Sequence, residues 1–129
     1  MKILFDTYAW IEYFLGSAQG KIAESYLKEE VITPIIVLLE LSYRADKENW
    51  KFKTYLDFIK LHSTITNINE EFILEFGSFY NKIKNRIPKI GLAEIIILMT
   101  SIREDSKILT GDIHFKGFPN IIFLDLNKE

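Results

Sequence analysis

At 129 residues with a formal net charge of −2 and no cysteine, the chain has room for one domain of ordinary size, and disulfides and thiolate chemistry are excluded. Hydrophobic residues make up 48% of it with no Pro-rich or Gly/Ser-rich stretch, a composition that buries roughly two-thirds of the surface exposed on unfolding. The near-balance of charge excludes a global positive field, so any attraction to phosphate has to be local or carried by bound cations.

The chain opens with Lys2-Ile3-Leu4-Phe5, a short apolar strand that runs into Asp6, Thr7 and the helical pattern Tyr8–Ile11. Trp10–Gly16 and Lys21–Lys28 follow as two short helices, the first closed by Gly16. Glu30–Thr33 is a second strand, and Thr33-Pro34 starts a helix as a capping hydroxyl followed by proline at the first helical position. That helix is apolar at Ile35, Ile36, Val37, Leu38, Leu39 and Leu41, with almost no polar face, which predicts burial. Asn49–Leu61 is an amphipathic helix, Thr64–Ile68 a third strand and Glu70–Ile87 a longer helix ended by Pro88. Ala93–Ile102 is another nearly all-apolar helix, Lys107–Thr110 a fourth strand, Gly111-Asp112 a turn and Ile121–Leu124 a fifth strand. Strands alternating with helices imply an α/β fold with a parallel sheet covered on both faces, one domain over residues 1–129. The apolar runs Ile35–Leu39 and Ile95–Met99 are far short of the ~20 residues of a membrane span. With no signal-like start either, a cytoplasmic protein is expected.

Four carboxylates interrupt apolar sequence or directly follow a strand: Asp6, Glu40, Glu94 and Asp112. Asp6 and Asp112 follow strands of one parallel sheet, at the edge where ligands collect in such sheets. Each acid also has a plain structural alternative. Asp6 is a good N-cap, Glu40 has Arg44 one turn on, Glu94 gains from the dipole of its helix, and Asp112 can cap a turn before Phe115. If the four converge, their repulsion at partial burial raises carboxyl pKa values and costs stability unless a divalent cation lies between them. Oxygen ligands alone, with no cysteine and no suitably placed histidine, point to Mg²⁺ or Mn²⁺ rather than zinc. Phosphodiester hydrolysis is the usual chemistry of such a site.

These pieces, in order, resemble the PIN-domain ribonucleases and, within them, the VapC-type toxins of toxin–antitoxin pairs. The resemblance covers essentially the whole chain. It lies in Phe5-Asp6-Thr7 with Trp10, Thr33-Pro34 followed by Glu40-Leu41, Gly91-Leu92-Ala93-Glu94 before an apolar helix, and Leu109-Thr110-Gly111-Asp112 with His114-Phe115. It implies a PIN-like α/β/α sandwich with a central, mostly parallel sheet of four or five strands, and a Mg²⁺- or Mn²⁺-dependent endoribonuclease. An RNA substrate, a cognate VapB-type antitoxin and a homodimer are implied with it. By position the family's acids carry over to Asp6, Glu40, Glu94 and Asp112, and its supporting threonine to Thr110. One departure stands out, because the third acid is usually aspartate and here is Glu94. Its extra methylene shifts a bound ion by about an ångström, and a misplacement of that size can cost ~100-fold in rate.

Lys82, Lys84, Arg86 and Lys89 form a basic run just upstream of Glu94, either a solvated helix end or a contact for the RNA backbone. His114 closely follows Asp112 and is either a phosphate contact or a surface histidine, of which the surface is the expectation. Trp50, Phe52, Tyr55 and Phe58 belong to the core or to a groove for an antitoxin helix. Two other functions compete with nuclease: a catalytically weak relative that binds an antitoxin or RNA, and a phosphoacceptor receiver domain. The second is disfavoured because this sequence shows neither the paired acids expected near the first strand of such a domain nor a separate phosphorylatable Asp ending a central strand.

Overall fold

A computed structural model describes residues 1–125; positions 126–129 of the expected single domain lie outside the described residues. Five strands form one sheet: β1 (Lys2–Phe5), β2 (Glu30–Pro34), β3 (Thr64–Thr66), β4 (Lys107–Thr110) and β5 (Ile121–Phe123). Their order across the sheet is β3-β2-β1-β4-β5 and every pairing is parallel. With its helices the sheet makes the expected α/β/α sandwich. The central strand β1 buries Ile3, Leu4 and Phe5 completely, the continuous apolar run that a strand covered on both faces requires. Leu4 stands in register with Ile32 on one side and Ile108 on the other.

This strand order decides where a site can form. The chain winds outward from β1 to β2 and β3, then returns to lay β4 and β5 on the opposite flank of β1. The direction of winding therefore reverses between β1 and β4, and the crevice at the carboxyl ends of those two strands is the switch point of the sheet.

The helices are α1 (Thr7–Leu15), α2 (Ala18–Glu24), α3 (Ile35–Glu48), α4 (Phe52–His62), α5 (Glu70–Arg86) and α6 (Leu92–Arg103). Trp10 of α1 is fully buried, packs 4.6 Å from Phe5 and 5.6 Å from Phe14 between ring centroids, and donates its indole N–H to Thr33 Oγ1 at 3.1 Å. That bond corrects the expected role of Thr33. Its hydroxyl serves Trp10 and Ser63, 2.6 Å away, and Pro34 is the N-cap residue of α3 rather than its first helical residue.

The helix α3 is also less buried than its apolar run suggests. Successive helical residues are rotated by about 100°, so five apolar neighbours cannot share a face. Val37, Leu38, Leu41 and Ala45 turn inward, while Leu39 and Tyr43 remain 57% and 65% exposed. Element ends shift for local reasons as well. Asn49 takes a left-handed conformation (φ 62°) that closes α3, so α4 starts at Phe52. The second helix stops at Glu24, and tight turns carry residues 25–28.

The first two helices meet at Gly20, where a Cβ would lie 2.0 Å from the Glu12 carbonyl oxygen, a backbone atom that cannot turn aside. Gly20→Ala is therefore expected to destabilise the fold by about 1–3 kcal/mol. Chemical denaturation checks this, and an unchanged midpoint would remove close helix packing as the reason for glycine here.

Candidate active site

Asp6 ends β1 at the switch point and is 3% exposed. Its Oδ1 accepts the Ala9 N–H at 2.8 Å, so the residue is the N-cap of α1 and an acid of the crevice at once. Burial pushes its carboxyl from 3.8 up to about 7. Hydrogen bonds from the Thr110 hydroxyl and the Ala9 N–H oppose that rise, and the charges of Asp112 and Glu40 add to it.

Glu40 comes from the middle of α3 and is half-buried. Its Oε1 accepts the Thr7 hydroxyl at 2.5 Å. Arg44 instead pairs with Glu48, Nε to Oε1 3.4 Å, so the expected alternative of a Glu40–Arg44 ion pair does not hold. Glu94, in the first turn of α6, accepts the Gly91 N–H through Oε1 at 2.7 Å. Asp112 follows β4. Its backbone N–H donates to Thr110 Oγ1 at 2.9 Å, and its Oδ1 accepts the His114 N–H at 2.9 Å, capping the 3₁₀ turn Ile113–Phe115.

The four carboxylates line one cleft of about 400 Å³, with Tyr8 and Leu92 among its walls. Thr110, fully buried beneath it, links Asp6 to Asp112 through its hydroxyl. A Cβ at Gly111 would lie 2.2 Å from the Tyr8 ring, so a larger residue there would displace that ring from the bond its hydroxyl donates to Gln19 at 3.0 Å. Among the described residues no lysine or arginine lines the cleft. Its acids are thus left to repel one another, and hard, anionic oxygen donors of this kind fit a small divalent cation.

His114 is the residue that sequence reasoning missed. The expectation of no suitably placed histidine is corrected: its Nδ1 lies 2.8 Å from Glu94 Oε2, 3.1 Å from Glu94 Oε1 and 3.4 Å from Asp112 Oδ1. Glu94, Asp112 and His114 form one compact set of possible metal ligands. The nearby signal was Asp112-Ile113-His114-Phe115, in which the buried Phe115 pins the turn. Glu94 is raised above the ordinary carboxylate range by burial and by Asp112, against the Gly91 N–H and His114, which lower it. His114 is raised in turn, chiefly by its bond to Glu94.

The basic run is not gathered at the cleft. Lys84 donates to the carbonyls of Pro88 and Ile90 at 3.0 and 2.7 Å, tying down the loop after α5. The Arg86 guanidinium lies 4.7 Å over the Phe118 ring, and Lys82 is exposed beside Leu74 and Phe79 in a groove between α5 and α6. Lys89 is near enough to act on the charge of His114.

The PIN domain model matches residues 3–120. The chain belongs to the PIN domain family. Solved structures share its fold at low sequence identity. The PIN-domain chain is similar to one in VapBC2 from Rickettsia felis bound to a promoter DNA fragment, with TM-score 0.75 and 22% identity over 95% of this chain and 97% of that one. A toxin–antitoxin complex from Klebsiella pneumoniae gives TM-score 0.74 and 22% identity over 95% and 98%. DNA-bound VapBC from Salmonella typhimurium gives 0.74 and 14% over 97% and 99%. No curated protein matches the sequence significantly. No helix of the described residues is long and apolar enough to cross a membrane.

The raised Asp6 carboxyl gives a pH prediction with a definite sign. Between 3.8 and about 7 the folded chain keeps a proton there that the unfolded chain has released, so stability falls as pH rises through that window. Asp6→Asn retains an acceptor for Ala9 and removes the titration. In EDTA its stability relative to the native chain should climb from pH 4 to 7, by up to roughly 4 kcal/mol, and then level off. Urea denaturation at several pH values measures this, and a flat difference would refute the buried, strained state of Asp6.

Proposed function

We propose that this chain is a Mg²⁺- or Mn²⁺-dependent endoribonuclease and the toxin of a type II toxin–antitoxin pair, acting in the cytoplasm. The observation that carries the reading is the convergence of Asp6, Glu40, Glu94 and Asp112, from four separate elements, in one cleft at the switch point. Those four carboxylates would hold the ion. The chemistry such an ion supplies is Lewis-acid activation of water and neutralisation of charge on the leaving oxygen of a phosphodiester.

The protein's own contribution is positioning. Thr110 orients Asp6 and Asp112 together, Thr7 fixes Glu40, and the Gly91 N–H fixes Glu94. Of Lys82, Lys84, Arg86 and Lys89, Lys89 is the residue best placed to meet the RNA backbone beside the site. A VapB-type antitoxin is the partner supported by the VapBC neighbours. Leu92, exposed in the wall of the cleft, offers it apolar surface there. A homodimer completes the assembly on this reading.

A second reading is favoured by one specific observation. Both oxygens of Glu94 are already engaged, by Gly91 and His114, so the protein can keep an antitoxin surface while cleaving RNA weakly. Glu94→Asp would then raise cleavage.

For the leading reading, Mn²⁺ at a hundredfold excess over Kd should stabilise the native chain by ~2.7 kcal/mol relative to EDTA, and Asp6→Asn should lose that gain. The same variant should lower Mn²⁺-dependent cleavage of single-stranded RNA at least ~100-fold. Identical melting curves with and without metal, together with RNA left intact by the native chain, would overturn the proposal.

A further inference from the structure

We propose that His114 is a positioning residue matched to the glutamate at position 94, holding its carboxylate where the shorter side chain of an aspartate would stand unaided. The inference rests on the metal-site reading above and extends it to a residue outside the four acids. Three observations support it. The imidazole Nδ1 spans both Glu94 oxygens, at 2.8 and 3.1 Å, while the Gly91 N–H takes Oε1 from the other side at 2.7 Å. The carboxylate is thereby gripped at two points, which removes the freedom that its extra methylene would otherwise give. His114 is itself placed by the acid next to it, because Asp112 Oδ1 accepts the His114 backbone N–H and the fully buried Phe115 anchors the turn. Finally, the pairing joins α6 to the segment after β4, the two elements that supply Glu94 and Asp112. One imidazole therefore sets the spacing between two of the acids.

Such a contact acts through the ligand, as groups bonded to metal-binding side chains commonly do. While Glu94 is ionised, its bond to Nδ1 requires the proton of a neutral ring to sit on Nδ1. An aspartate at 94 is one methylene shorter and loses the span to His114, so the two positions have to change together.

A double-mutant cycle on the full chain tests this, with Mn²⁺ affinity measured by calorimetry and the His114 tautomer measured by ¹⁵N NMR of the metal-free protein. In the native background His114→Ala should weaken Mn²⁺ binding about tenfold to hundredfold, with His114→Gln recovering part of the loss. In a Glu94→Asp background the same His114→Ala change should alter affinity by less than about twofold. The metal-free native chain should carry its neutral-imidazole proton on Nδ1, and Glu94→Asp should release that preference. Equal losses in both backgrounds would show that His114 acts on the ion independently of Glu94, overturning the positioning role. Normal Mn²⁺ binding by both the native chain and His114→Ala would also overturn it while leaving the metal site intact. If the native chain binds no Mn²⁺, the functional reading fails and the role of His114 falls with it, although the Nδ1 signal would still report the pairing.

Discussion

Burial of the Asp6 carboxyl in a cleft lined by three further carboxylates, within a fold that is stable for other reasons, is the constraint on which the rest of this structure depends. Burying one ionised carboxylate is costly, and placing others beside it adds to the cost. The protein meets part of that cost with hydrogen bonds to neutral donors: Ala9 and Thr110 to Asp6, Thr7 to Glu40, Gly91 to Glu94 and the His114 N–H to Asp112. These donors orient the acids, while burial leaves Asp6 and Glu94 readier to hold a proton than ordinary carboxyls. A cation entering the cleft would favour their ionised forms.

The scaffold makes the arrangement possible because its core is concentrated in β1 and the strands on either side of it. Ile3, Leu4, Phe5, Ile108 and Leu109 are fully buried, so the strand ends that carry Asp6 and Thr110 are fixed by packing rather than by the site. Trp10 extends that rigidity into α1 and, through Thr33, to the start of α3, the helix that delivers Glu40. Precise support of this kind, with functional groups set on the ends of rigid elements, is what metal-assisted chemistry demands.

Much of this was legible in the sequence. The alternation of strands and helices, the parallel sheet and the prominence of Asp6, Glu40, Glu94 and Asp112 follow from apolar patterning and from acids set against it. What periodicity cannot express is the rotation of one element against another. Leu39 therefore looked buried although it faces outward, and Arg44 stood as an alternative partner for Glu40 although Thr7, from a different element, lies against it. Thr33 looked like a helix cap because Ser/Thr-Pro is a strong local signal, yet leaving a buried indole N–H without an acceptor costs about 1–3 kcal/mol against the ~0.5–2 kcal/mol that a cap contributes. The pairing of His114 with Glu94 was missed for the same reason as the outward turn of Leu39. Its importance comes from α6 meeting the turn after β4, and no spacing within either segment encodes that meeting.

The central claim, that the four acids constitute one cation site, is tested most directly by crystals of the protein grown with Mn²⁺ and measured for anomalous scattering. The account predicts strong anomalous density inside the cleft, bounded by the carboxylates of Asp6, Glu40, Glu94 and Asp112. A fully occupied Mn²⁺ peak elsewhere on the molecule, with none among these four side chains, would contradict it.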